Sequence, residues 1–126
     1  MDERNRYEAG MRERRTVLGD EYVDRALERV NAFNEEFQDL ITRYAWGEIW
    51  TRPGLDKLTR SFMTIAMMVA LNREDELRLH LRGAINNGAT REEIVECLLQ
   101  TAIYCGVPAA NSAFHLAEEV FGAPAT

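Results

Sequence analysis

The sequence predicts an all-α protein, a single-domain bundle of about six helices spanning residues 1–126 that assembles into an oligomer. Three observations support this fold class. Apolar residues recur at helical spacing along most of the chain. Glycine, proline and capping residues divide the chain into helix-sized segments. No alternating strand pattern of useful length is present, and 126 residues suit one domain with one core.

The first half of the chain contains three predicted helices. Residues 3–18 are polar and helix-prone, and Gly19 ends them. Acids alternate with the arginines of this helix, which indicates a solvated face that includes Arg4, Arg6, Arg12, Arg14 and Arg15. Asp20 is predicted to cap the second helix, whose apolar stripe is Tyr22, Val23, Ala26, Leu27 and Val30. Asn34 is predicted to cap the third helix, whose apolar residues are Phe37, Leu40, Ile41, Tyr44 and Trp46.

A turn at Pro53 and Gly54 precedes the fourth predicted helix, residues 56–71, which is almost wholly apolar after Ser61. A helix that is apolar on every side is buried at a domain centre or at a subunit interface. One small core cannot cover all of these sides. We therefore expect a homo-oligomer in which residues 62–71 are buried and partly covered by another subunit.

The fifth predicted helix carries one of the two histidines of the chain, His80. Apolar residues form a single stripe along this helix, namely Leu77, Leu81, Ala84 and Ile85. His80 lies in the same stripe and is predicted to face inward. On this pattern alone, a core histidine held by a backbone carbonyl is the more ordinary interpretation, and a catalytic histidine is the alternative.

The remaining helices are marked by their ends. Gly88 ends the fifth helix, and Thr90 with Glu93 forms a capping box that begins the sixth. Gly106 ends the sixth helix, and Pro108 begins the last one. The last helix presents a face of mostly small residues, Ala110, Ala113, Phe114 and Ala117.

Composition and charge narrow the function classes. The chain is 46% hydrophobic and 29% charged, as in an ordinary soluble protein, and its net charge of −6 argues against a nucleic-acid partner. The N-terminal residues lack the apolar core of a signal peptide, and the apolar run 62–71 is too short to span a bilayer. We therefore predict a cytoplasmic protein without a membrane partner.

The cysteines and histidines predict neither a disulfide nor a metal site. Cys97 and Cys105 lie on one predicted helix about 12 Å apart, which is too far for a disulfide between them. His115 lies off the small-residue face and is predicted to be at the surface. The two histidines are not at metal-ligand spacing, and no cysteine or aspartate cluster completes a site.

Four local motifs carry the interpretation further. They read WGxxWxRPGL from Trp46, HxRGAxxNG from His80, EEIxE from Glu92 and YCGxPAA from Tyr104. In this combination the chain resembles the carboxymuconolactone decarboxylase family, from about Gly19 to Val120. The resemblance implies an all-helical fold like that of alkylhydroperoxidase D, a cofactor-free carboxy-lyase activity, and a homo-oligomer, either a trimer or a hexamer.

The implied substrate is a butenolide with one carboxylate on a ring carbon and another on an acetate arm. Loss of carbon dioxide sends an electron pair through the ring C=C into the lactone carbonyl, so the substrate is its own electron sink. The implied product is the enol-lactone of 3-oxoadipate, in the β-ketoadipate (protocatechuate) pathway. The protein must bind two carboxylates, donate a hydrogen bond to the developing dienolate, and protonate carbon.

The resemblance makes His80 the expected acid. Glu48, between two tryptophans, is expected to orient His80 or relay its proton, with an exposed loop carboxylate as an equal alternative. Glu76, one turn before His80, is a second candidate for setting the imidazole tautomer.

The remaining candidates would bind the substrate. Arg60 and Arg52 are the favoured carboxylate ligands and Arg43 is a weaker one, because arginine binds carboxylates in a bidentate manner. Arg60 begins the most buried predicted helix, whereas Arg52 lies in the preceding turn, where the alternative of a solvated loop residue is stronger. The other expected contacts are Trp46 and Trp50 as pocket walls and Tyr104 as a donor to the carbonyl, with simple packing as the alternative for each.

Two other classes stay open. Thiol peroxidases of the alkylhydroperoxidase D type carry a CxxCxxxH helix, and placing that histidine on His80 puts Arg73 and Glu76 at the cysteine positions. The relay glutamate of those enzymes would fall near Ser61. The missing thiols argue against a peroxidase. Another lyase of this fold, and a non-catalytic helical oligomer that binds a small acid, remain as alternatives.

Overall fold

The computed structural model describes residues 2–122, and every element in that range is helical, which confirms the all-α prediction. The elements are α1 Glu3–Leu18, α2 Asp20–Glu28, α3 Glu35–Leu40, a π-helix Ile41–Trp50, α4 Lys57–Leu71, α5 Glu74–Asn86, α6 Arg91–Tyr104 and α7 Val107–Phe121. The chain divides into two compact units, Met1–Lys57 and Leu58–Thr126. The single domain 1–126 stays a prediction.

In the first unit, α1 lies along the π-helix, and α2 and α3 flank this pair. Gly19 ends α1 in the left-handed region at φ +89°, as predicted. The predicted cap of α2 is wrong, whereas Asn34 holds the predicted N-cap position of α3. Asp20 is the first residue of α2, and its carboxylate accepts a hydrogen bond from Arg15 at 3.0 Å. Asn34 precedes α3, but its side chain accepts a hydrogen bond from the backbone amide of Asn31 at 2.9 Å.

The prediction that the α1 arginines form a solvated face is wrong at two positions. Arg14 is only 4% exposed, and the side chain of Arg6 is 16% exposed. Both lie on the side of α1 that faces the π-helix, together with the buried residues Gly10 and Val17. The acidic neighbours of these arginines predict an exposed face. Both arginines are nevertheless largely buried, because the π-helix packs over them and this packing cannot be read from neighbouring residues.

The apolar stripes of the first unit are only partly buried. On α2, Val23 is fully buried, whereas Tyr22 and Leu27 remain more than one-third exposed. No residue of α3 is buried, and its Phe37 is 60% exposed. Helical spacing therefore identified the apolar faces without identifying which of them this chain covers.

In the second unit, α4 to α7 share one core. Its buried side chains are Ile65, Val69, Leu77, Leu81, Ala84, Ala89, Ile94, Leu98, Ala113 and Leu116. Within this chain, α4 is buried on one face. Only Ser61, Ile65 and Val69 of α4 are buried, whereas Met67 is 50% exposed. One face of α4 thus packs on the core. Burial of its other faces by another subunit stays a prediction.

The ends of α5, α6 and α7 follow the predicted signals. Gly88 and Gly106 adopt φ values of +101° and +102° directly after α5 and α6. The capping box is confirmed, because Thr90 Oγ1 accepts from the Glu93 amide at 3.0 Å and Glu93 Oε1 accepts from the Thr90 amide at 2.9 Å. Pro108 lies in the first turn of α7.

The remaining expectations on side-chain location have mixed outcomes. On α5 the predicted stripe is buried at Leu77, Leu81 and Ala84, but Ile85 is 38% exposed. His115 is exposed, as predicted. Cys97 and Cys105 are both free and half-buried. Within residues 2–122, the helices are too short or too polar to cross a membrane.

Candidate active site

The WGxxWxRPGL motif begins on the π-helix of the first unit. Ten consecutive residues adopt this wider helix, which is uncommon in proteins and is frequent at functional sites. Trp46 is buried and stacks on Trp50, with ring centroids 5.0 Å apart and an interplanar angle of 26°. The two predicted wall residues therefore form one aromatic pair.

Glu48 lies between these tryptophans on the π-helix and is ion-paired. Its carboxylate accepts a hydrogen bond from Arg6 of α1, and its other oxygen lies 3.7 Å from Arg52 Nη1. Arg6 is largely buried, whereas the Arg52 side chain is 60% exposed. Glu48 thus lies on a helix, and its carboxylate is ion-paired with both Arg6 and Arg52. Two of the predicted site residues, Glu48 and Arg52, are therefore in contact.

Arg43, the weaker carboxylate candidate, is already engaged by two acids. Its Nη1 lies 3.1 Å from Glu3 and its Nη2 lies 2.7 Å from Asp39. The hydrogen bonds that Arg43 donates to these two carboxylates raise its pKa, with Glu3 as the larger cause. The guanidinium also lies over the Tyr44 ring at 5.3 Å. A substrate carboxylate would have to compete with these partners.

In the second unit, His80 is half-buried on α5. Burial lowers its pKa below the ordinary value of 6.5, and the carboxylate of Glu76, one turn earlier, opposes this shift. The imidazole is therefore neutral at neutral pH in the free protein. Glu76 lies close enough to act on His80 electrostatically, which keeps it a candidate for orienting the ring.

The lowered pKa of His80 makes a pH-dependent contribution to stability. In the unfolded chain His80 titrates near 6.5, and in the folded protein it titrates lower, so the unfolded state binds more protons in this window. The contribution is fully present above about pH 6.5 and is lost as the pH falls through the folded-state pKa. Urea unfolding between about pH 8 and about pH 5 should show the free energy of unfolding decreasing on the acid side, and decreasing less in His80→Gln.

His115→Gln is the matched control for that experiment, because His115 is exposed on α7. It removes a histidine without altering the α5 stripe. An acid-side decrease of equal size in the wild type and in His80→Gln would show that the loss of stability arises elsewhere.

Arg60 and Tyr104 complete the predicted set in the second unit. Arg60 is half-buried in the first turn of α4, next to the buried Ser61, whose hydroxyl accepts a hydrogen bond from Asn87 at 2.9 Å. Tyr104 ends α6 and is 80% exposed, so its ring is not packed into the core of this chain. His80, Arg60 and Tyr104 thus come from three helices of one unit.

Sequence reasoning missed Arg6 and the two glycines that let it approach Glu48. A Cβ at Gly10 of α1 would overlap the carbonyl oxygen of Thr42, and a Cβ at Gly47 would overlap that of Arg6. Both glycines therefore permit close contact between α1 and the π-helix. The available signal was Gly10 itself, because a glycine inside an otherwise polar helix usually has a packing reason.

The described residues hold no group of three His, Cys, Asp or Glu side chains that could bind a metal ion. In the first unit they offer an aromatic pair beside an ion-paired carboxylate. In the second unit they offer a half-buried neutral imidazole and a half-buried arginine. Proton transfer and carboxylate binding are the chemistry that these groups can perform.

Comparison with known proteins relates these features to a family. The sequence model of the carboxymuconolactone decarboxylase family matches residues 35–119. A protein named 4-carboxymuconolactone decarboxylase from Acinetobacter baylyi is 53% identical over 121 residues, which cover 96% of this chain and 90% of that protein. One of the same name from Pseudomonas putida is 62% identical over 48 residues, which are 38% of this chain and 100% of that sequence.

A second activity occurs among the relatives. A protein named nitrosuccinic acid decarboxylase from Metarhizium robertsii is 47% identical over 105 residues, which cover 83% of this chain and 73% of that protein. The family match extends over more than half of the chain, and the similarity to the Acinetobacter baylyi protein extends over nearly all of it. This chain belongs to the carboxymuconolactone decarboxylase family.

Proposed function

We propose that this protein is a 4-carboxymuconolactone decarboxylase. The observation that carries the proposal is the 53% identity to a protein of that name over 96% of this chain. The reaction breaks the bond between the ring carbon and its carboxylate and releases carbon dioxide. The electron pair moves through the ring C=C onto the lactone carbonyl oxygen, and a proton then joins the carbon α to that carbonyl.

His80 is the proposed proton donor. In the free protein its pKa is lowered by burial, so the ring is neutral before substrate binds. A dicarboxylate bound beside it favours the imidazolium, because a nearby negative charge raises the pKa of a histidine. Substrate binding would therefore favour protonation of the His80 imidazole. The resulting imidazolium would then transfer this proton to the dienolate carbon.

Arg60 and Arg52 are the proposed carboxylate ligands, with Arg43 as a third candidate that two acids already hold. Glu48 would orient His80 or relay a proton to it, and Arg6 holds the Glu48 carboxylate in place. The stacked Trp46 and Trp50 would exclude water, and Tyr104 would donate to the lactone carbonyl. These roles suit a reaction whose charge develops on oxygen, where fixed donors lower the barrier.

A direct assay tests the proposal. The purified protein at micromolar concentration is mixed with 4-carboxymuconolactone, and both the ultraviolet absorbance of the lactone and the release of carbon dioxide are followed. We expect equal amounts of lactone consumed and carbon dioxide released. Absence of turnover above the rate without enzyme would reject this activity while leaving the fold and the family in place.

Nitrosuccinate is the second candidate substrate, because a relative named for it is 47% identical over 83% of this chain. It is also a dicarboxylate, and its nitro group accepts the electron pair that decarboxylation releases. The two substrates are distinguished by kcat/KM in parallel assays on one preparation. A larger kcat/KM for nitrosuccinate would move the assignment to that reaction.

We further propose a cytoplasmic homo-oligomer, a trimer or a hexamer. Exposed apolar side chains support the assembly, since Met63, Met67 and Leu71 on α4 are 43%, 50% and 63% exposed. Covering such surfaces is the usual reason for a small helical protein to associate. Light scattering at about micromolar concentration should give a multiple of the 14.4 kDa chain mass. A monomer under these conditions would contradict the proposal.

A further inference from the structure

A cavity of about 580 Å³ lies within the first unit. This volume is in the usual range for small-molecule sites. Its wall combines aromatic and aliphatic side chains, one arginine and exposed acids, among them Tyr7, Arg14, Leu27, Val30, Glu35 and Glu36. None of the residues around this cavity belongs to the proposed decarboxylation site.

Arg14 places a positive charge in the wall of this cavity. The residue is 4% exposed, and its Nη1 and Nη2 donate to Thr42 Oγ1 at 3.3 Å and to Gln38 Oε1 at 3.1 Å. Both acceptors are neutral. The buried Nε has no acceptor within the described part of the chain. Burial without a carboxylate in contact lowers the pKa of Arg14.

Among residues 2–122, the buried guanidinium of Arg14 has only neutral partners, so no negative charge there compensates its positive charge. Removing a charge from water is costly unless an opposite charge compensates it. Arginine has five N–H donors and binds carboxylates in a bidentate manner, so a carboxylate is the group that best completes such a site.

The acidic residues of the cavity determine which charge is favourable at the end of the ligand that lies away from Arg14. Glu35 and Glu36 are exposed in the first turn of α3, whereas the carboxylate of Asp39 is held by Arg43 at 2.7 Å. A purely anionic ligand would be repelled by Glu35 and Glu36. A ligand with a cationic group opposite its carboxylate would interact favourably with both charges.

We propose that this cavity binds a small zwitterion, with its carboxylate on Arg14 and its ammonium group near Glu35 and Glu36. The aliphatic side chains of Leu27 and Val30 would contact the chain between the two charges. No residue that lines the cavity has a role in the proposed decarboxylation, although Asp39 contacts Arg43, so the ligand need not be the substrate or the product of that reaction.

Three probes of matched length test the proposal by titration calorimetry on the full chain. They are ε-aminocaproate, which carries both charges, caproate, which carries only the carboxylate, and hexylammonium, which carries only the cation. We expect ε-aminocaproate to bind with a Kd of about 1 mM or tighter and each single-charge probe to bind at least about tenfold more weakly. Failure of ε-aminocaproate to bind at about 10 mM would overturn the proposal, as would equal binding of caproate.

Variants then assign the contacts. Arg14→Gln should weaken ε-aminocaproate at least about tenfold, whereas Arg12→Gln, an exposed arginine of the same helix, should leave its Kd unchanged. Because Arg14 also bonds to Thr42 and Gln38, its replacement can unfold the first unit. The pair Glu35→Gln and Glu36→Gln, at exposed positions, covers that case and should bring ε-aminocaproate to the affinity of caproate. Unchanged binding in the double variant would overturn the zwitterion assignment.

Discussion

His80→Gln should lower kcat for decarboxylation by about 10²–10⁴ with little change in Tm. Glutamine has similar bulk and can still make one hydrogen bond, but it has no proton to deliver to carbon near neutral pH. The half-buried ring lies beside Leu77, Leu81 and Ala84 of α5. If His80 serves only to fill this part of the core, the variant instead loses stability and keeps its turnover.

Steady-state kinetics and thermal unfolding on the same preparation distinguish these outcomes. His115→Gln is the control for both measurements, because it makes the same replacement at an exposed position of α7. Near-normal kcat in His80→Gln, with wild-type kcat in the control, would remove His80 from the proposed mechanism.

Gly47→Ala should destabilise the protein by about 3 kcal/mol, the upper part of the range for overpacking. A Cβ at this position would overlap the carbonyl oxygen of Arg6 and lie 3.1 Å from its Cγ. Backbone atoms cannot rotate away, so α1 would have to move from the π-helix. That shift would also displace Arg6 from Glu48, so kcat should decrease together with stability.

Gly54→Ala is the matched control, because no atom outside its chain neighbours lies within 4 Å of a Cβ at that turn. We expect it to change the free energy of unfolding by less than about 0.5 kcal/mol. Gly10→Ala should resemble Gly47→Ala, since its Cβ would overlap the carbonyl oxygen of Thr42. The double variant should cost less than the sum of the two, because one displacement of α1 relieves both overlaps. A wild-type Tm in Gly47→Ala would contradict this close approach.

The candidate site shows where sequence patterns were sufficient and where they failed. The stripe on α5 predicted that His80 faces inward, because helical periodicity is a local property. The partner of Glu48 could not be predicted in this way. Arg6 lies 42 residues away, and its acidic neighbours in the sequence predict a solvated side chain. Only the packing of α1 on the π-helix brings Arg6 and Glu48 together.

The sequence by itself determined the helical class, the ends of most helices and the family. Glycines after α1, α5 and α6 and the Thr90–Glu93 capping box act within a few residues, so they can be recognised without the fold. The tertiary structure alone decided which faces are covered, including the burial of Arg14 and the exposure of Met67. The physical reason is that periodicity defines a face, whereas burial requires a second element whose position depends on contacts distant in sequence.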